Sequence, residues 1–312
     1  MTRVAFVGAG FMAEEHARAF ADVPGVELVG VHSRTRPRAE ELARTAGIGG
    51  VFDSIDELYG RTQADLVVVT VIETAMKDIA LVCLAQPWTI LLEKPPGLSV
   101  LEAEEIAAAA DGREHPVLVA LNRRFLSSTR AVLDDLARSE AQRYIRVQDR
   151  QSLEEARALG HSDPVVRGWM YANSIHLVDY LSFFGRGAVE SVECVLPWNP
   201  REPGVVLAVI RFASGDVGVY EGIWNGPGPW AVALVTEEKR WELRPLEQAA
   251  FQLPSERQLV TVPSHHWDRE FKPGLRLQAE HAVAATRDER CEIPTIDESL
   301  RTMRLIESIF GE

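Results

Sequence analysis

Along this chain the spacing of apolar residues changes once. From residue 3 to about 125, short continuous apolar runs alternate with stretches whose apolar positions recur every three or four residues. The runs at 3–7, 26–33, 65–71, 89–93 and 115–125 read as buried strands, and 11–20, 37–46, 77–86 and 99–111 as helices. Residues 52–59 read as a short strand or turn and then a helix. Strands alternating with helices imply right-handed crossovers, and hence a doubly wound parallel sheet.

Beyond residue 126 the rhythm shifts. A helix at 127–139 leads to a strand at 144–151, a polar loop at 152–167 and an amphipathic helix at 173–184 that Gly185 ends. Strand-length segments then follow at 189–196, 205–213, 216–224, 230–237, 239–245 and 257–262. Ser214-Gly215-Asp216 and Asn225-Gly226-Pro227-Gly228 between them are hairpin and loop chemistry, so this sheet is mostly antiparallel. Residues 205–210 are apolar on both faces, which suits an outer face covered by a partner subunit. Helices at 275–286 and 296–310 finish the chain.

Composition narrows the class. The 312 residues suffice for two domains, and 46% hydrophobic with 25% charged residues reads as globular and soluble. No apolar run approaches the roughly 18 residues of a membrane span, and residues 1–10 read as a core strand rather than a leader. The net charge of −13 argues against bulk nucleic-acid binding. Cys83, Cys194 and Cys291 lie far apart, suit a reducing cytoplasm and have no metal-binding spacing.

Four stretches carry candidate chemistry. In Gly8-Ala9-Gly10-Phe11-Met12-Ala13, a strand meets two glycines and a helix start. Gly8 permits the tight turn, Gly10 lets a pyrophosphate approach the backbone, and the helix offers N–H groups to phosphate. After the second strand comes Ser33-Arg34-Thr35-Arg36-Pro37-Arg38, with no carboxylate for a ribose. Three arginines beside a hydroxyl suit a 2′-phosphate, or else form a solvated cluster at a helix start. Glu93-Lys94-Pro95-Pro96 ends a buried strand, where the proline biases Lys94 toward an extended backbone. There an ammonium could polarise a substrate oxygen, or simply close an ordinary strand. On the helix from Tyr171, His176 and Asn173 lie three apart and Asp179 extends that face. The histidine suits general acid–base work, or a plain hydrogen bond between helix and loop.

Taken together, these features resemble the Gfo/Idh/MocA family of oxidoreductases. Gly8–Ala13 with His16, Glu93-Lys94-Pro95, Asn122-Arg123-Arg124-Phe125 and His176-Leu177-Val178-Asp179 carry the resemblance over essentially the whole chain. It implies an N-terminal Rossmann domain over 1–122 and a C-terminal α+β domain over 123–312, with a large, mostly antiparallel open sheet, for substrate and subunit contact. The last helix is expected to pack back on the first domain. It also implies NAD(P)-dependent hydride transfer at a carbinol carbon of a sugar, cyclitol or similar polyol. Carried over, Lys94 and His176 bracket the reacting oxygen. Gly8, Gly10, Phe11, Met12, Val71, Glu93, Asn122 and Arg123 fall where the family reaches cofactor or substrate. Ser33, Arg34 and Arg38 resemble the NADP-using branch, so NADP(H) is expected ahead of NAD(H).

The chain departs from the family in three places. The family's aspartate four residues before the histidine is Ala172, its Thr-Pro-Asn segment is replaced at Val71–Met76, and its glycine run becomes Arg167-Gly168-Trp169-Met170. Tyr171 and Asn173 are the candidates to fill in for the aspartate. Expected partners are a sugar-like substrate and a second or fourth copy of the chain through the C-terminal sheet, with no nucleic acid, membrane or metal. A cofactor-binding regulator of the same fold, with little catalysis, is the rival reading.

Overall fold

The computed structural model describes residues 1–311. The chain divides into two compact units, residues 1–122 with 269–300, and residues 123–268 with the C-terminal segment from Arg301.

In the first unit, β1 (Thr2–Val7), α1 (Phe11–Ala21), β2 (Val26–His32), α2 (Arg36–Ala46), β3 (Val51–Phe52), α3 (Ile55–Thr62), β4 (Leu66–Val69), α4 (Met76–Cys83), β5 (Thr89–Leu92), α5 (Val100–Ala110) and β6 (Val117–Val119) alternate. The strands form one parallel sheet in the order β3-β2-β1-β4-β5-β6. Val4, Ala5, Phe6, Leu66, Val67, Val68, Ile90, Leu91 and Leu92 are fully buried, which is why these strands read as unbroken apolar runs. The order reverses between β1 and β4, whose last residues Val7 and Val69 are paired. A crevice opens beyond the carboxyl ends of strands at such a point. The predicted strand at 115–125 is shorter: after β6 the chain turns through a single 3-10 turn at Asn122–Phe125.

The second unit begins with α6 (Ser127–Leu136), β7 (Tyr144–Gln151), α7 (Leu153–Ala158) and α8 (Asp163–Arg167). Residues 152–167 are therefore not a loop. Ser152 caps α7 by accepting the Glu155 N–H at 3.2 Å, and Pro164 sits at the start of α8, where its missing N–H costs nothing. A π-helical turn at Met170–Ser174 runs into α9 (Ile175–Phe184). Then come β8 (Val189–Leu196), β9 (Val205–Phe212), β10 (Val217–Trp224), β11 (Trp230–Val235), β12 (Arg240–Leu243), β13 (Ala249–Gln252) and β14 (Val260–Val262). The short β13 is absent from the sequence reading. It follows the turn at Pro245 and pairs with β12 and β14. The chain ends with α10 (Trp267–Glu270), α11 (Leu275–Ala285) and α12 (Ile296–Phe310).

The eight strands lie in the order β14-β13-β12-β11-β7-β10-β9-β8, antiparallel except for the parallel pair β7–β10. Along β7, Ile145, Val147, Asp149 and Gln151 are buried while their neighbours are not. Period-two geometry puts all four on one face. That face is apolar for its first half and polar for its second.

Candidate active site

At the carboxyl end of β1 the backbone of Gly8 has φ +110°, and a Cβ there would stand 2.6 Å from the Thr70 carbonyl oxygen. Only glycine fits this turn. Gly10, by contrast, has nothing within 4 Å of where a Cβ would be, and no side chain caps α1, which starts at Phe11. The first N–H groups of α1 are thus available to an anion in front of Gly10.

A cavity of about 230 Å³ lies against this turn. Its wall includes Gly8, Gly10, Ser33, Arg34, Arg38 and Val71. Of the three arginines in this stretch, Arg36 faces away: it is paired with Glu40 at 3.0 Å and with Asp53. Arg34 and Arg38 remain at the cavity, and Ser33 Oγ accepts the Thr35 N–H at 3.3 Å. The wall of glycine backbone, hydroxyl and guanidinium groups fits the phosphate-rich half of a dinucleotide, and the residue types suit charge-assisted hydrogen bonds.

The other candidates of this unit do not line that cavity. Phe11 is exposed, with Lys272 Nζ 5.6 Å from its ring centre, and Met12 is half-buried. Glu93 is buried: one oxygen meets His16 Nε2 at 2.7 Å and the other accepts the Lys94 N–H at 3.1 Å. Lys94 is half-buried at the end of β5. Asn122 is buried and donates from Nδ2 to the Pro273 carbonyl.

In the second unit His176 is buried on α9, its ring centre 6.4 Å from that of Trp230. The Arg123 guanidinium stands 5.9 Å from the same indole and pairs with Glu247 at 2.7 Å. Asp179, three residues past His176 on α9, is buried and engaged. Arg124 holds both its oxygens at 2.7 Å, and Thr302 Oγ1 donates to one of them. Tyr171 and Ala172 are buried, and Asn173 is half-buried. Of the tryptophans, Trp230 adjoins His176, whereas Trp224 packs with Trp198 and Phe310.

Two residues escaped the sequence reading. Asp149, wholly buried, accepts from Tyr220 Oη at 2.7 Å and from Gln151 Nε2 at 2.6 Å. Gln151 Oε1 accepts from Trp169 Nε1 and Asn173 Nδ2, both at 2.8 Å. Burial pushes the Asp149 carboxyl up, against the opposing pull of the Ser174 and Tyr220 hydroxyls and the Gln151 amide. The signal available was alternation: positions 149 and 151 share the inner face with Ile145 and Val147.

Fold and cavity define a class, the doubly wound parallel sheets with a glycine turn of the dinucleotide-binding type. Residues 2–121 match the model of the Gfo/Idh/MocA oxidoreductase family with its NAD-binding Rossmann fold. Glucose-6-phosphate 3-dehydrogenase of Bacillus subtilis is 31% identical over 127 residues, 41% of this chain and 35% of that protein. The chain thus matches about a third of that relative's length. 1,5-Anhydro-D-fructose reductase of Ensifer adhaerens is 29% identical over 72% of this chain and 65% of its own length. The crystal structure of a dehydrogenase from Chromobacterium violaceum superposes with a TM-score of 0.85 at 20% identity, covering 99% of this chain and 94% of that one, which shows the shared fold. Among the described residues no helix is long and apolar enough to cross a membrane.

Proposed function

We propose that the chain is an NADP(H)-dependent oxidoreductase that moves hydride between nicotinamide and a carbinol or carbonyl carbon of a sugar, cyclitol or similar polyol. The observation that carries the cofactor choice is the cavity at the end of β2, walled by Ser33, Arg34 and Arg38 and by no carboxylate. A 2′-phosphate would gain charge-assisted hydrogen bonds there, whereas a bare ribose would lack its usual acceptor. The bound nicotinamide supplies or takes the hydride.

The protein's own part is orientation and proton handling. Lys94 holds and polarises the substrate oxygen, and His176 gives or takes its proton. Tyr171 and Asn173 are proposed as further contacts of the reacting group, and Gly8, Gly10, Phe11, Met12, Val71, Glu93, Asn122 and Arg123 as the cofactor's surroundings. The first unit is then the cofactor domain and the second the substrate domain. Strands β8 and β9 expose Val195, Leu196 and Val205, the proposed contact of a homodimer or homotetramer. The three free cysteines suit a reducing cytoplasm.

The test is a titration of NADPH against NADH, followed by turnover of glucose 6-phosphate, scyllo-inositol and 1,5-anhydro-D-fructose. Tighter NADPH and turnover of a polyol are expected. Equal affinities would overturn the cofactor choice. One observation favours a second reading, a regulator that binds cofactor: buried Ala172 stands where the family carries its aspartate. Cofactor binding without turnover of any polyol would favour it.

A further inference from the structure

The polar half of β7 has no role in the scheme above, although it ends on one of the residues proposed to meet the substrate. Asp149 and Gln151 occupy two inward positions of that strand, and the π-helical turn that covers them carries Asn173. π-turns recur at functional sites because the extra residue re-aims the side chains that follow.

The bonds leave the Gln151 amide one orientation. Its nitrogen donates to Asp149 Oδ1 at 2.6 Å, and its oxygen accepts two N–H groups, from Trp169 and from Asn173. Turning the amide over would set its oxygen against the Asp149 oxygen and its NH2 against two donors. Asp149 Oδ1 accepts from Gln151 whether the carboxyl is ionised or carries its proton on the oxygen beside Tyr220, so the order of donors holds in both states. Tyr220 Oη is the one other titratable group bonded to this carboxyl; its phenol is pushed well up by burial and by Asp149.

The consequence falls on Asn173. One of its amide hydrogens is committed to Gln151, which fixes the plane of the carboxamide. Its Oδ1 has no protein partner among the described residues, and with the second hydrogen it can meet a ligand hydroxyl as acceptor and donor. An aspartate at 173 would bring a carboxylate against the Gln151 oxygen. The chain of bonds therefore selects an amide, a group that orients a hydroxyl without taking its proton.

We propose that Asp149, acting through Gln151, is a positioning residue that aims the Asn173 carboxamide at a hydroxyl of the substrate. This rests on the polyol oxidoreductase reading. The test compares Asp149→Asn, Asp149→Val, Gln151→Met and Asn173→Asp in the full chain, by steady-state kinetics on whichever of the three polyols is turned over. The side-chain amide signals of Asn173 are read by 15N NMR.

Asp149→Asn keeps an acceptor toward Gln151 and turns its NH2 to Tyr220, so kcat should stay within about twofold of wild type. Asp149→Val and Gln151→Met should each lower kcat about tenfold or more, leave NADPH affinity unchanged and shift the Asn173 amide signals, a change of about 1.4 kcal/mol in the barrier. Asn173→Asp should lose activity and add an ionisation to the pH–rate profile, and Asp149→Asn added to it should recover part of the loss by reversing the run of donors. If Asp149→Val does not fold, Gln151→Met and the Asn173→Asp pair decide. Unchanged kcat and amide signals in a folded Gln151→Met would overturn the proposal. If no polyol is turned over, the functional reading fails, and the amide signals still decide whether Asp149 holds Asn173.

Discussion

Oε1 of Glu93 lies 2.7 Å from Nε2 of His16, and the other oxygen of the same carboxylate accepts the backbone N–H of Lys94 at 3.1 Å. Both side chains are buried, so α1 and the end of β5 are tied by a bond that water does not dilute. Removing His16 would leave a buried carboxylate oxygen without its donor. His16→Ala is expected to cost about 1–3 kcal/mol of stability and to lower turnover, because the anchor beneath Lys94 loosens. Thermal unfolding and kcat check this together. An unchanged melting midpoint would show that the pair contributes nothing.

Gly8 and Gly10 make a controlled contrast. Gly8→Ala must place a Cβ 2.6 Å from the Thr70 carbonyl oxygen at a φ of +110°, so the turn itself has to move. Loss of fold stability, with loss of nucleotide binding as a result, is expected. Gly10→Ala puts its Cβ where no protein atom comes within 4 Å. That variant should keep the wild-type melting midpoint and weaken NADPH by about tenfold, roughly 1.4 kcal/mol. Wild-type affinity in Gly10→Ala would mean that the phosphates do not pass there.

The three arginines after Ser33 are separable. Arg34 and Arg38 line the cavity, whereas Arg36 is engaged by Glu40 and Asp53. Replacing Arg34 or Arg38 by alanine should raise the Kd of NADPH, by about 1.5–3 kcal/mol for a lost bond to a charged group, and leave that of NADH nearly unchanged. Arg36→Ala should alter neither. Isothermal titration with both nucleotides reads the difference directly, and an equal loss for NADH and NADPH would place these arginines on the pyrophosphate instead.

What was legible in the sequence follows from how locally each feature is determined. Strands buried on both faces announce themselves as apolar runs, and of the cavity groups Ser33, Arg34 and Val71 follow within two residues of their strands, with Arg38 in the first turn of α2. The short helices at 153–158 and 163–167 were legible in principle, from the Ser152 to Glu155 cap and from Pro164, but their polarity disguised them as loop. The spacing of Asp179 from His176 gives their shared helix face but not Arg124 and Thr302, which reach Asp179 from elsewhere in the chain. Asp149 and Gln151 were hidden for a similar reason. Polar residues late in a strand read as solvent-facing until Tyr220, Trp169 and Asn173 are seen to close over them.

The second unit also carries an acid-sensitive lock. Asp216, wholly buried, accepts the Arg143 N–H at 2.9 Å and the Arg186 N–H at 3.0 Å, and the Arg186 guanidinium binds both of its oxygens. Burial alone would raise its pKa, but the bonds from Arg186 and the two backbone N–H groups hold it down to about 2, from an ordinary 3.8. A depressed folded-state value means that the unfolded chain binds the proton more readily. The stabilisation is therefore complete above about pH 4 and is lost as the pH falls toward 2, and it amounts to about 2 kcal/mol. Asp216→Asn should destabilise the protein by at least that much at pH 7, and the gap to wild type in urea unfolding should narrow between pH 4 and pH 2. A gap that stayed constant through this range would show that hydrogen-bond geometry, and not the charge of Asp216, holds the ends of α9 and β10 together.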